Sequence, residues 1–368
     1  MLSTLCLAFA LLLPLGYTTV RFSAVTSSDI EFVETERSGV EFLHPMSKLI
    51  AALAEAQSAA VAEKRVEVQA VEDAVAAVDR ADRAVGDFLK VHDGWSSLQT
   101  KIARLGSGTL SGKRAYRVYS ETIDVALALM LRAGDTSNLI LDPELDSYYL
   151  MDASMIRLPG LIVDTGRMTD LEVLRAGAGD EDLELARVLI ARDRISSAAS
   201  AIQAGFSKTF RTSASRSIGN DLLGRIDSFR SAVQPMAPSV PLVSQPLPPS
   251  VEALQSSRTA LASTALSLNT AALAELDQLL ETRRQSIERD RMSVVFVLLG
   301  SFVAAGLVVR LRSSSPSLRP TLAAAAEEGS ADQLPNRFTE HSRVSGSSNA
   351  TATAKPQHKR KKAPSAHR

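Results

Sequence analysis

Residues that carry chemistry are scarce in this chain. Cysteine occurs once, at Cys6 inside the first apolar run, so neither an intramolecular disulfide nor a cysteine metal cluster can form. The residues before it, Ser3-Thr4-Leu5, do not make a lipoprotein cleavage site. Histidine is scattered over His44, His92, His341, His358 and His367. No H-x-x-x-H or H-E-x-x-H pattern, nucleophile elbow or phosphate-binding glycine loop is present. No enzymatic activity, metal or cofactor is expected. Aromatic residues make up only 5 % of the chain, and the heavy use of Ala, Leu, Val, Arg and Asp favours helices over β-sandwiches. The 41 basic residues balance 41 acidic ones, so no strongly charged partner is implied for the chain as a whole.

Two long apolar runs stand out. Residues Leu2 to Val20 approach the length that spans a bilayer, yet no Lys or Arg precedes them and no small-x-small cleavage pattern follows. The missing upstream charge leaves room for a start further upstream. The second run, Met292 to Val309, is flanked by Arg289, Arg291, Arg310 and Arg312, and is the stronger transmembrane segment. Two spans put both ends on one side. The tail after Arg310 holds Arg312, Arg319 and the run His358-Lys359-Arg360-Lys361-Lys362, and positive charge stays cytoplasmic. The expected organisation is a transmembrane helix over 1–22, an extracytoplasmic part over 25–288, a second transmembrane helix over 291–310 and a cytoplasmic tail over 313–368. That places the protein as a two-pass component of the inner (plasma) membrane. The tail is rich in Ser, Ala, Thr and Pro and reads as disordered. Its basic end suits anionic headgroups or nucleic acid. The plain alternative is a solvated tail, and no nucleic-acid partner is expected.

The extracytoplasmic part reads as all-α, an antiparallel bundle of long helices. Val61, Val68, Val71, Val75, Val78, Val85 and Leu89 alternate by threes and fours, as in one long bundle or coiled-coil helix. Lys64 and Asp82 fall on the same seam. Further helices are expected at Tyr116 to Arg132, from Asp142 to about Ile156, at Asp182 to Ile202 and at Ser217 to Val233. Arg157-Leu158-Pro159-Gly160 should interrupt the helix before it, and residues 235–249 form a proline-rich connector. The last outer helix, Val251 to Asp290, carries Leu254, Leu261, Leu268, Leu276, Leu279 and Ile287 and should run straight into the second span. Such a continuous helix can pass a piston or rotation movement across the membrane.

Gly134 to Asp152 is the densest stretch. It holds Tyr148 and Tyr149 back to back and sets polar residues within an apolar run. Asp142-Pro143-Glu144 reads as a helix start, with a capping Asp, Pro at the first helical position and a carboxylate at the positive dipole end. Asp142, Leu145, Tyr149, Asp152 and Ile156 would share one face. One reading is a well-capped connection between helices. The other is a polar pocket where Tyr148 or Tyr149, with Asp146 or Asp152, meets a small molecule. Spacing leaves both open. Asp135, Asp142, Asp146 and Asp152 lack the alternation and the glycine of a calcium loop.

Three blocks carry a resemblance. They are Leu13-Pro14-Leu15 with Phe32 to Met46 (including Glu36-Arg37-Ser38-Gly39), Gly134 to Asp152 with Arg157-Leu158-Pro159, and Leu276 to Arg283. Together they resemble the extracytoplasmic sensor region of bacterial methyl-accepting chemotaxis receptors and related transmembrane sensors. Those receptors continue into a HAMP linker and a methyl-accepting coiled coil, or into a kinase module. The residues after Arg310 carry neither heptads nor kinase motifs. The resemblance implies an input domain without its own output domain. Asp135, Asn138, Asp142, Asp146, Tyr148, Tyr149, Asp152 and Arg157 would form the ligand-facing or switch cluster, supported by Glu36 and Arg37. Each of these residues also reads as a cap or an ion-pair partner. The partners implied are the membrane, a small solute, a separate signalling protein and a second copy of the chain. The competing readings are a scaffold of the cell envelope and a truncated receptor without signalling output.

Overall fold

The computed structural model describes residues 2–106, 110–141, 144–176, 181–212, 220–237 and 250–313. These are all-α, with no strand among them. The helices are α1 (Leu2–Val61), α2 (Val68–Ala81), α3 (His92–Leu105), α4 (Gly112–Thr136), α5 (Leu145–Met151), α6 (Leu158–Ala176), α7 (Glu181–Thr212), α8 (Asn220–Val233) and α9 (Val251–Ser313).

Apolar spacing decides how they pack. On α1, Phe42, Met46, Leu49 and Leu53 recur at steps of three and four, and all are fully buried. On α9 the matching stripe is Leu261, Ala265, Leu268, Ala272, Leu276 and Leu280, which alternates large and small side chains so that α1 can lie close. Leu254, Leu261, Leu268 and Leu276 are buried, and Leu279 and Ile287 are partly buried. Polar pairs fix the register: Arg258 holds Glu55 in a fork of 2.7 and 2.9 Å, and Lys64 Nζ donates to Gln255 at 2.7 Å. Lower down, Arg37 meets Asp277, so residue numbers fall on α9 as they rise on α1. Helix α4 packs on α1, α6 contacts α1, α7 and α9, and α8 lies on α9. The side chains of Phe296, Val297, Leu299, Phe302 and Val303 on α9 are exposed. An 18-residue window of α9 has mean hydropathy 2.0 and none of it is buried, so this helix is long and apolar enough to cross a membrane. The side chains of residues 1–15, on which the first expected span rests, are outside the described set.

The single long helix expected from Val61 to Leu89 does not form. Helix α1 stops at Val61, where Glu63 takes a left-handed φ of 56°. Lys64 N–H reaches back to Ala59 O at 2.8 Å and Glu63 N–H to Ala60 O at 3.2 Å, the Schellman pattern that satisfies free carbonyls at a helix end. The chain stops again at Lys90 (φ 55°) with the same pair of bonds, Val91 N–H to Gly86 O and Lys90 N–H to Asp87 O. Lys64 therefore lies in a turn. Asp82 is buried at the start of a π-helical turn, Asp82–Gly86, against His92 at 2.7 Å.

A second departure concerns Pro159. The helix is not interrupted there: α5 passes through a π-helical turn, Asp152–Arg157, directly into α6. Pro159 lacks an N–H, and it sits where the hydrogen-bond register is already changing. Helix α6, absent from the sequence expectations, buries Leu161, Ile162, Val163, Met168 and Leu171. Of the remaining expectations, residues 217–219, 238–249 and 314–368 lie outside the described residues.

One close approach fixes the lower half. At Gly39 a Cβ would sit 2.5 Å from Ser137 Cβ and 2.8 Å from Leu139 Cδ1. Gly39→Ala should push the 137–139 turn off α1 and destabilise the protein by about 1–3 kcal/mol, as overpacking does. Urea unfolding of the two proteins in detergent checks this, and equal midpoints would contradict it.

Candidate functional site

Besides Arg258 near its start, helix α9 carries a second cation close to its buried face, Arg283. Arg283 follows Leu276 and Leu280 at helical spacing, and its side chain is only 16 % exposed. Opposite it on α1 stands Glu36, which is 0 % exposed. Arg283 Nη1 lies 3.4 Å from Glu36 Oε2, while Nη2 lies 3.1 Å from Glu144 Oε2 and donates to Ser147 Oγ at 3.2 Å. One guanidinium thus joins α1, α9 and the first turn of α5. A carboxylate this deeply buried needs a counter-charge, and planar Arg supplies several donors from one position.

The next residue on α1 turns to the outer side. Arg37 Nε and Nη2 donate to Asp277 at 2.8 and 3.2 Å, and Nη1 donates to Glu281 at 2.7 Å. These bonds, that to Asp277 first, raise the Arg37 pKa further. Glu281 also accepts from Arg284 at 2.8 and 2.9 Å and from Gln285 at 2.7 Å. Those bonds, led by Arg284, hold its carboxyl down at about 2. Each helix therefore offers an acid and a base to the other. Beside this pair an open cleft of about 610 Å³ runs between α1 and α9, with His44 in its wall.

The segment from Gly134 to Arg157 is strapped over this junction. Gly134 is close-packed on Met155, whose Cε would lie 2.9 Å from an added Cβ. Ser137 is fully buried and Leu139 packs against Gly39. Asn138 holds a left-handed φ of 64°, with its carbonyl accepting from Leu141 N–H at 2.8 Å. Asparagine tolerates that conformation better than other side chains, which accounts for its place there. Asp135 is exposed in the last turn of α4.

Tyr149 is half-buried beside Gly205 of α7, with Lys208 Nζ 5.0 Å from its ring centre. Tyr148 is exposed and meets Tyr149 edge-on at 5.4 Å. Asp152 and Arg157 form an ion pair inside the π-helical turn. Ile156 is exposed. Asp142 lies outside the described residues, as does the side chain of Asp146. The structure thus brings Glu36, Glu144 and Ser147 together through Arg283, sends Arg37 to other partners, and closes Asp152 on Arg157. Arg283, Glu144 and Ser147 were not among the expected residues. A signal for Arg283 was present: a cation at core spacing on an apolar stripe. Among the described residues no three His, Cys, Asp or Glu side chains gather to hold a metal.

A second buried charge lies at the far end of α6. Asp170 is 1 % exposed and accepts from Gln57 Nε2 at 2.7 Å, while Gln57 Oε1 accepts from Ser120 Oγ at 3.2 Å. It borders a cleft of about 470 Å³ that Glu55, Lys64 and Arg258 also line. Burial pushes the Asp170 carboxyl up to about 6, and the Gln57 bond only partly offsets this.

The chain matches no family model, no curated protein and no solved structure. Among the described residues, fold and site define an all-helical arrangement with one helix fit to cross a membrane and a buried charge junction where α1, α5 and α9 meet.

The raised Asp170 pKa has a signed consequence. The folded state keeps this proton to higher pH than the unfolded chain does, so the contribution to stability is present at low pH. It is lost as pH rises from about 4 through about 6. The loss is at most about 3 kcal/mol. Asp170→Asn should remove it, so that between pH 4 and 7 the variant gains on the wild type by up to that amount. Melting curves across this range test it, and parallel pH profiles would refute the assignment.

Proposed function

We propose that this is a membrane-anchored sensor-like protein. In this reading the protein crosses the membrane twice, through the start of α1 and the end of α9. Its helices form an extracytoplasmic antiparallel bundle that binds a small solute or partner and passes the event to a separate output protein. The observation that carries the proposal is the Arg283 junction: one side chain holds α1, α9 and the strap that contains Glu144 and Ser147. A change in the strap therefore acts on both helices that lead to the membrane. Asp135, Asn138, Asp142, Asp146, Tyr148, Tyr149, Asp152 and Arg157 belong to that strap, and Glu36 and Arg37 are its footing on α1. A solute shifts such an arrangement only by its difference in affinity between the docked and released strap.

The junction is testable by a double-mutant cycle. Arg283→Met leaves Glu36 buried without this counter-charge and should cost about 3–5 kcal/mol. Adding Glu36→Gln should recover part of that loss, since the buried charge is then gone. Urea unfolding in detergent reads both, and strictly additive losses would contradict the coupling.

The functional reading is tested by hydrogen exchange over residues 139–151 in the full chain, with and without a solute that raises its melting temperature. Exchange in the strap should change with the solute in the wild type. Arg283→Met should still bind the solute while the strap exchanges fast in either condition. Solute binding that leaves the strap unchanged would sink the switch. A crosslinked dimer insensitive to every solute would favour a scaffold instead.

A further inference from the structure

Far from the Arg283 junction, α2 and α3 lean on α1 and α4 and leave a cavity of about 460 Å³ between them. Its walls are Val71 and Val75 of α2, Ile102 of α3 and Leu53 of α1. The space is open to solvent along one side, where Val68, Ala76 and Ala103 are exposed, and water held against its inner walls finds stable places only where it has two to four polar partners. These walls offer it few.

Tyr119 of α4 also lines the cavity. It is 5 % exposed, and among the described residues its hydroxyl has no hydrogen-bond partner. Burial pushes its pKa up, so the hydroxyl stays neutral. The hydroxyl is not closed off from solvent, and a bound group that pairs with it takes the place of water there.

The mouth is acidic. Glu72 is exposed there, and the Asp79 carboxylate is held at the rim by Trp95 Nε1 at 2.8 Å and Gln99 Nε2 at 2.6 Å. Among the described residues no Lys or Arg lines the cavity. Anionic solutes are disfavoured by charge, and strongly polar ones by the walls.

We infer that this cavity binds a small neutral ring compound bearing one hydroxyl or N–H, of the phenol or indole kind, with that group paired to Tyr119. The volume lies in the range of small-molecule sites. Leu53 belongs to α1, so the site touches the helix that carries Glu36 roughly 25 Å along the same axis. As the solute class of the proposed sensor, this inference rests on that reading; as a binding site it stands alone.

The test uses the full chain in detergent with phenol, indole, toluene and benzoate as probes, read by titration calorimetry. Phenol and indole should bind saturably, and benzoate at least tenfold more weakly. Tyr119→Phe should weaken phenol about five- to tenfold, the worth of one hydrogen bond, and leave toluene unchanged. Val75→Phe should fill the space and abolish binding while the protein keeps its melting temperature. No saturable binding would overturn the site. So would benzoate binding as tightly as phenol, or an equal loss for phenol and toluene in Tyr119→Phe. Strap exchange on the same samples separates the two proposals. Binding without a strap response counts against the sensor alone, and a strap response to some other solute without phenol or indole binding counts against this cavity alone.

Discussion

A carboxylate with no exposure to water, in the middle of the long helix α1, is the constraint from which the lower half of this protein follows. Glu36 must be answered by a cation, and the cation must come from a helix that stays close throughout. Arg283 meets that need because it continues the buried stripe of α9. Having one Nη group on Glu36, the guanidinium still has donors to spend, and Glu144 and Ser147 take them. The strap is therefore a consequence of the buried pair. The same geometry explains why Ser147 is buried although it opens a short helix.

The strap can reach that position only because side-chain bulk is missing where it crosses α1. Ser137 and Leu139 occupy the room a side chain at position 39 would need, and Asn138 supplies the left-handed turn between them. Gly134 does the same where α4 passes Met155. The polar residues that draw the eye in this stretch thus have conformational duties as well. The π-helical turn, closed by Asp152 on Arg157, then delivers the chain into α6 without a loop.

How far the sequence speaks depends on where each signal resides. The all-α class and the long α9 stripe were legible, because steps of three and four between leucines are local and unambiguous. The break after Val61 was not, since Glu63 and Lys90 take left-handed conformations with no glycine to announce them. Helix α6 was hidden by Pro159, Gly160 and Gly166, which argue locally against helix. Its burial against α1, α7 and α9 overrides that preference. At the junction, Glu36 and Arg37 are adjacent in sequence but serve opposite sides of the α1–α9 pair. The spacing of Arg283 on the apolar stripe marks it as a cation facing the core, but its partner Glu36, far away along the chain, is identified only by the fold.

The distribution of polar pairs along α1 and α9 also bears on how a signal would travel. Glu55 with Arg258 clamps the far end, with Lys64 of the turn after α1 bonded to Gln255 beside it, and Arg37 with Asp277 and Glu281 clamps the near end. Sliding one helix past the other would break both clamps together, along with the interdigitated Leu and Ala stripe. The Glu36–Arg283 contact, at 3.4 Å, is the longest of these, and Arg283 is also shared with the strap. Within the sensor reading, a change that begins in the strap would act first on this contact, because Arg283 is the residue that the strap and Glu36 share. It would splay or rotate α1 and α9 at this end more readily than it would drive one as a piston against the other. Within the sensor reading, the movement reaching the membrane is a small change of angle at the base of an otherwise locked pair.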